Sequence, residues 1–195
     1  MKQRGRPVSF DPQNAAQKAM IAFWQSGYDG IAMNALPEIL GASKPTVYAA
    51  FTSKDGIYAA ALAAYETLYI DPEMEALAAA TAFQSGLMAW LRSGWRRYAG
   101  AHGPRGCLVV RSMLEGLALH PQTQAQLDAS VHNVQVALGA FVGRYLNDAA
   151  EIRRTTGYLL TLRNGLAVTA MSGASEGYFE EMVAMALAAL PKAQD

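Results

Sequence analysis

The eight residues from Gly41 to Tyr48 combine a sharp turn with a concentration of hydrogen-bond donors. Gly41 permits a sharp turn after one predicted helix, and Ser43 is a good N-cap for the next. Lys44 and Thr46 then fall on the exposed first turn of that next helix. Ammonium and hydroxyl groups at a helix N-terminus can donate to phosphate oxygens and to base edges in the major groove. The spacing therefore predicts contacts to duplex DNA from this turn.

Three short predicted helices position these donors. Asp11 and Pro12 are typical of a helix start, and Gly27 ends that first helix. The second helix covers roughly residues 34–40 and the third residues 43–51. Three short helices joined by tight glycine turns within about 60 residues are the outline of a helix-turn-helix.

The segment from residue 16 to residue 62 resembles the DNA-binding domain of the tetracycline-repressor (TetR) family of bacterial regulators. It departs from the family pattern at Ala32, where a capping Ser or Thr is usual, and at Pro37, which we expect to shift the start of the second helix. The landmarks that match in type and spacing are Ala16, Phe23, Gly27-Tyr28-Asp29, Leu36, Gly41, Ser43-Lys44, Thr46-Val47-Tyr48, Phe51 and Ser53-Lys54.

The resemblance implies that the third helix faces the major groove and that Lys54, at the start of a fourth helix, contacts the DNA backbone. It also implies a homodimer on palindromic operator DNA, released by a small-molecule effector in the C-terminal part. The residues it places against the groove and its phosphates are Lys44, Pro45, Thr46 and Tyr48.

A basic arm precedes the first helix. Arg4 and Arg6 flank a glycine, which is the form of a segment that enters a narrow minor groove. The alternative is a solvated tail that only aids solubility.

Composition and charge predict an all-α protein in two parts. The chain has 195 residues, is rich in alanine and has a formal net charge of zero. Its first 58 residues carry six Lys and Arg against four Asp and Glu. We therefore assign residues 1–58 to the arm and a three-helix DNA-binding domain, and residues 59–195 to a helical domain for ligand binding and dimerisation.

The last two predicted helices, near residues 150–174 and 176–190, are the candidates for dimerisation. The first mixes leucines with small residues that allow close helix approach, and the second has an apolar stripe. The alternative is that both pack only against their own chain.

Bulky and adaptable side chains in the middle helices could line an effector pocket. Aromatic residues at helical spacing are also ordinary core residues, so each one could simply fill the interior. The candidate ligand contacts are Trp90, Trp95, Tyr98, Met113, Phe141 and Tyr145.

Cys107 lies in the stretch Gly106-Cys107-Leu108-Val109, at the start of a helix predicted over about residues 107–119. This stretch is similar to one found in a group of TetR regulators. Beside Arg105 and Arg111, Cys107 could sense oxidants or electrophiles, or it could be a small buried residue. Arg111 and Glu115, four residues apart, predict an ion pair within the helix.

The sequence gives little evidence for a catalytic site, a metal site or a membrane span. The three histidines are dispersed, and no metal-ligand spacing, nucleophile motif or phosphate loop is present. The longest uncharged window, residues 76–91, is shorter than the roughly 18–20 residues of a membrane span. We expect a cytoplasmic, ligand-responsive repressor without cofactors; the alternatives are a regulator sensing through Cys107, a ligand-binding protein whose DNA function has decayed, and a small helical enzyme.

Overall fold

The computed structural model describes residues 10–101, 103–116 and 119–192, and every regular element in these ranges is helical. The predicted all-α class is confirmed. The helices are α1 (Pro12–Ser26), α2 (Leu36–Leu40), α3 (Lys44–Phe51), α4 (Lys54–Tyr65), α5 (Asp71–Ala79), α6 (Phe83–Tyr98), α7 (Leu108–Glu115), α8 (Pro121–Val142), α9 (Ala149–Met171) and α10 (Glu176–Ala188).

The ends of the N-terminal helices lie where their capping residues predict. Asp11, Ser43 and Ser53 each accept a hydrogen bond from a backbone N–H in the first turn of α1, α3 and α4. Gly27 ends α1 with φ 76°, and Gly41 ends α2 with φ 71°. Both φ values lie in the region that glycine adopts without steric cost, so these two turns depend on the residue type.

Helix α2 is shorter than predicted. It begins at Leu36 rather than near Asn34, and its N-cap Ala35 offers no side-chain acceptor. The backbone N–H of Ala35 instead donates to the carbonyl of Ala32 at 3.0 Å. Pro37 lies in the first turn of α2, where its missing N–H removes no helical hydrogen bond.

The chain does not break at Asp71-Pro72, although this dipeptide is typical of a helix boundary. A π-helical turn, Glu66–Ile70, joins α4 directly to α5. Proline cannot donate to the carbonyl four residues earlier, and a wider turn just ahead of it relieves that mismatch without ending the helix. Pro72 is therefore accommodated in the first turn of α5.

Helix α1 packs most extensively on α4, and aromatic side chains fill their contact. The Phe23 ring meets the Tyr58 ring edge-on at 4.9 Å, and the Trp24 ring meets Tyr65 at 5.1 Å between centroids. The indole N–H of Trp24 donates to the carbonyl of Gly106 at 3.1 Å. The N-terminal helices are thus fixed to the rest of the chain through α1 and α4.

The remaining helices form the second part of the core. Helix α6 contacts α5, α9 and α10. Helix α7 is shorter than predicted, with Cys107 as its N-cap residue and Gly116 at φ 58° after its last turn. None of the described helices combines the length and hydropathy of a membrane span.

Candidate nucleic-acid interface and ligand cavity

Helix α3 presents one side to solvent and anchors the other. Val47 is fully buried, whereas Lys44 and Pro45 are exposed and Tyr48 has 38% of its surface accessible. The side chain of Thr46 is partly exposed. The four residues predicted to face the groove therefore all lie on the accessible side of α3 or at its edge.

Two hydrogen bonds cap the first turn of α3. The Ser43 hydroxyl accepts from the backbone N–H of Thr46 at 3.4 Å and shares a hydrogen bond with the Thr46 hydroxyl at 2.8 Å. The Lys44 ammonium lies 5.7 Å from the centre of the Tyr48 ring, within reach of a cation–π contact. The cationic end of α3 thus has a defined geometry before any ligand arrives.

Lys54 begins α4 beside the turn that follows α1. Its ammonium lies 4.1 Å above the centre of the Tyr28 ring. Burial, reinforced by the Asp55 carboxylate, raises the pKa of Tyr28 to about 12, so this phenol stays neutral under the lysine. The arrangement fixes Lys54 on the same part of the molecule as α3.

Lys18 supports the same surface, and the sequence analysis did not select it. Its ammonium donates to the carbonyl of Leu40 at 3.3 Å and so satisfies the C-terminal end of α2 beside Gly41. The predicted minor-groove residues Arg4 and Arg6 lie outside the described residues.

A small cavity of about 70 Å³ lies among the side chains of α6, α7, α8 and α9. Arg97, Arg163, Tyr98, Asn164 and Ser130 supply its polar lining. The apolar side chains that line it are Ile70, Val109, Val110, Met113, Val131, Val134 and Leu160, with the thiol of Cys107 among them.

An ion cluster closes one end of this cavity. Arg97 and Arg163 are 2% and 5% exposed, and Glu73, at 8% exposure, bridges them. One guanidinium N–H of Arg97 donates to Glu73 at 2.8 Å, and Arg163 donates to the other carboxylate oxygen. The Tyr98 hydroxyl accepts from Arg163 at 2.8 Å and from Arg97 at 3.3 Å. Arg163 also stacks on the Trp90 ring at 4.2 Å.

Both arginines remain charged in this interior site. Burial opposes the charge of Arg97, but neighbouring Tyr65, Tyr98 and Glu73 outweigh it and raise the pKa of the guanidinium. Burial likewise opposes the charge of Arg163, but Tyr98 and Glu73 outweigh this effect and raise the pKa of its guanidinium. The cluster therefore contains two positive charges and one carboxylate.

Two of the six predicted ligand contacts, Tyr98 and Met113, line the cavity. Trp90 lies behind it, under Arg163. Trp95 stacks on Phe179 at 5.2 Å, away from the cavity lining. Phe141 and Tyr145 likewise lie outside the lining, where both pack on the Phe83 ring.

Cys107 is 5% exposed and borders the cavity. Its sulfur accepts a hydrogen bond from the Tyr65 hydroxyl at 3.3 Å. A reagent would have to enter the cavity to reach this thiol.

Helix α7 runs from the cavity to the N-terminal helices. The Glu115 carboxylate at its far end accepts from the backbone N–H of Tyr28 at 3.0 Å. One turn earlier the Ser112 hydroxyl bonds the buried Tyr58 hydroxyl of α4. The predicted pair between Arg111 and Glu115 is present at 3.8 Å.

Sequence reasoning missed the ion cluster, although one signal was available. Arg163 is the only charged residue between positions 155 and 175, in a stretch of leucines and small residues. A lone arginine in such a stretch indicates a buried charge that needs a partner. The partner Glu73 gives no comparable signal, because it lies 90 residues away.

Comparisons with known proteins agree with this geometry. The sequence model described as bacterial regulatory proteins of the tetR family matches residues 17–61. The HTH-type transcriptional repressor BdcR of Escherichia coli (strain K12) is 29% identical over 172 residues, covering 88% of this chain and 84% of its own. The E. coli (strain K12) repressor ComR is 33% identical over 112 residues, which is 57% of this chain and 53% of ComR.

Solved structures extend the similarity over nearly the whole chain. A triple-cysteine mutant of the TetR family transcriptional regulator CifR, in complex with a 26-bp double-stranded operator DNA, superposes with a TM-score of 0.83 at 30% identity, over 96% of this chain and 100% of that one. The reduced form of E. coli NemR shares the fold, with a TM-score of 0.77 at 18% identity over 90% and 94% of the two chains. Helix α3 is exposed on the surface, and CifR is 30% identical over nearly the whole chain. The chain therefore belongs to the TetR family of bacterial transcriptional regulators, which bind operator DNA.

Proposed function

We propose that this chain is a ligand-responsive repressor that binds a palindromic operator as a homodimer. The observation that carries the proposal is the N-terminal end of α3, where Lys44 and Thr46 lie at an accessible, capped turn. CifR, the relative with 30% identity, was solved on operator DNA, and BdcR and ComR are both named repressors. A dimer on a promoter can block polymerase without any activating surface.

The proposed contacts follow from the position of each side chain. Lys44, Pro45, Thr46 and Tyr48 would meet base edges and phosphates in the major groove, because recognition helices read DNA with their N-terminal residues. Lys54 would contact the backbone from the start of α4. Such a protein acts where the chromosome is, so we place it in the cytoplasm.

The cavity is the proposed effector site, and α7 is the proposed route from it to the DNA-binding helices. Val109, Val110 and Met113 of α7 line the cavity, while Glu115 of the same helix holds the turn after α1. A ligand that displaced α7 would therefore act on the segment that positions α2 and α3. A rigid helix touching both sites can bias two arrangements of the whole molecule.

Redox or electrophile sensing through Cys107 is the second proposal for this cavity. It is supported by the position of the thiol in the lining and limited by its 5% exposure. Addition of hydrogen peroxide to the DNA-bound protein tests it: the wild type should release DNA, whereas Cys107→Ser should not respond and should keep the same DNA affinity.

Selection of bound sequences from random duplex DNA tests the DNA-binding proposal. We expect a palindromic consensus whose half-sites lie about 34–36 Å apart, one helical turn. Lys44→Ala and Tyr48→Ala should each lower the affinity for that consensus by about tenfold or more, because each removes a contact made in both half-sites. The dimer should persist in both variants.

Lys192→Ala is the matched control, since this exposed lysine follows α10 and lies outside α3. It should leave affinity for the consensus unchanged. No enrichment from the random pool, or wild-type affinity in both α3 variants, would contradict the proposal.

A further inference from the structure

The interior ion cluster leaves the cavity with an excess of positive charge. Within the described residues, Glu73 is the only carboxylate within ion-pair distance of Arg97 or Arg163. A buried charge without a counter-charge is strongly unfavourable in a protein interior. The unbalanced charge faces a cavity, so the balancing group can come from a ligand.

The ion cluster also contains hydrogen-bond donors without a partner. Arg97 Nε and Arg163 Nη1 are buried and have no hydrogen-bond partner among the described residues. The Tyr98 hydroxyl already accepts from both arginines, so its own proton is free to donate to a third group. Unpaired donors in a cluster with a net positive charge are chemically complementary to the oxygen atoms of an anion.

The rest of the lining selects against a highly charged or fully polar ligand. Away from the ion cluster the walls come from four helices and are mainly aliphatic. A ligand that fits both ends needs one anionic group and a hydrocarbon part. The aliphatic wall consists of Ile70, Val109, Val110, Val134 and Leu160.

We propose that the cavity binds a small monocarboxylate anion, with its carboxylate between Arg97 and Arg163 and its hydrocarbon chain along the aliphatic wall. That the bound anion acts as the effector rests on the function proposed above. The binding itself rests only on the cavity and its charges.

The volume sets the size of the ligand. A cavity of about 70 Å³ holds about five to seven water-sized groups, at roughly 10–15 Å³ for each. Propionate and butyrate are of this size. Met113 and Val131 line both the cavity and a wider cleft of about 450 Å³ between α7 and α8. A carboxylate with a longer hydrocarbon chain would extend out of the cavity at these two residues, beside α7, the helix that carries Glu115.

Calorimetric titration of the full-length, DNA-free protein at pH 7 tests the inference, with sodium butyrate as the probe. We expect butyrate to bind and butyramide, its neutral analogue of nearly equal size, to bind about tenfold more weakly or worse, since hydrogen bonds to charged groups are the stronger ones. Butylammonium should not bind. Sodium chloride at matched ionic strength is the control for screening.

Variants of Arg163 assign the binding to the cluster. Arg163→Met leaves Arg97 balanced by Glu73 and should lose butyrate binding, and Arg163→Lys should weaken it. Arg153→Met, at an exposed position on the same helix, should bind as the wild type does.

Several results would overturn the inference. They are equal binding of butyramide, binding of butylammonium, a binding heat from sodium chloride equal to that from sodium butyrate, or no binding of acetate, propionate or butyrate. If Arg163→Met does not fold, the comparison of butyrate with butyramide on the wild-type protein still shows whether binding requires the carboxylate charge.

A second measurement separates this inference from the proposed function. Butyrate is added to the protein bound to its selected DNA consensus, and release of DNA is followed. Binding to free protein without release would support the carboxylate site and contradict its role as effector site. If the protein binds DNA but does not bind carboxylates, the result would support the proposed repressor function and overturn the proposed carboxylate site.

Discussion

At Glu73, a single carboxylate serves two buried guanidinium groups. Removing one partner of a buried ion pair leaves the others uncompensated in the interior, which costs about 3–5 kcal/mol. We therefore expect Glu73→Gln to lower the free energy of unfolding by about this amount. Urea denaturation followed by circular dichroism measures the change.

Glu75→Gln is the control for this prediction, because it is an exposed residue of the same helix, α5. Its effect should lie within about 0.5 kcal/mol of zero, as for most surface substitutions. Equal stability of Glu73→Gln and the wild type would contradict the role of Glu73 as the charge partner that stabilises the two arginines.

Single residues were predictable where their role depends on near neighbours. Ser43 caps α3 and accepts from Thr46 three residues later, so spacing alone places both. The ion cluster joins residues 24 and 90 positions apart, and no local pattern encodes such a meeting. The polar end of the cavity therefore became visible only in three dimensions, although Tyr98 and Met113 were selected from the sequence.

At the scale of helices, α7 is tied to the turn after α1 by a contact that only glycine permits. A side chain at position 27 would place its Cβ 1.9 Å from a carboxylate oxygen of Glu115. That carboxylate accepts from the backbone N–H of Tyr28 at 3.0 Å. The turn leading to α2 therefore depends on α7 for one of its hydrogen bonds.

Glu115→Ala should loosen this turn. Losing the acceptor of a partly buried N–H costs about 1–3 kcal/mol, so amide hydrogen exchange at Tyr28 should become about tenfold faster or more. Hydrogen exchange measured by NMR tests this. Glu115→Gln keeps an acceptor oxygen and should preserve most of the protection.

Unchanged exchange at Tyr28 in Glu115→Ala would contradict the coupling of α7 to the DNA-binding helices. Exposed Glu181 in α10 supplies a further control, because Glu181→Ala should leave this amide unaffected.

Helices were predicted well where a cap or a glycine marks their ends and poorly elsewhere. The bounds of α3 follow from Ser43, and α1 ends at Gly27 as expected. The passage from α4 to α5 was not predictable in detail, because Asp71-Pro72 is typical of a helix boundary and the π-helical turn that precedes it has no local signature. Packing of the whole bundle, rather than local preference, keeps that segment helical.

At the scale of the whole molecule, the proposed dimer requires a surface for a second copy. Apolar side chains of α9 and α10 remain accessible in the single chain, which agrees with pairing through these two helices. Burying such residues against a symmetric copy would remove them from water. The accessible apolar residues of these helices are Tyr158, Val168, Tyr178 and Met185.

Symmetry also determines how salt should act on operator binding. The logarithm of the binding constant falls with the logarithm of salt concentration, with a slope of about −0.9 for each phosphate contact neutralised. A homodimer presents Lys44 and Lys54 twice, so Lys44→Ala or Lys54→Ala should each make the slope shallower by about 2. Fluorescence anisotropy of a labelled operator at several salt concentrations measures the slope, and Lys192→Ala should leave it as in the wild type. A reduction of about 1 would mean one contact per complex, because only an asymmetric or monomeric complex loses a single phosphate contact when every chain carries the substitution.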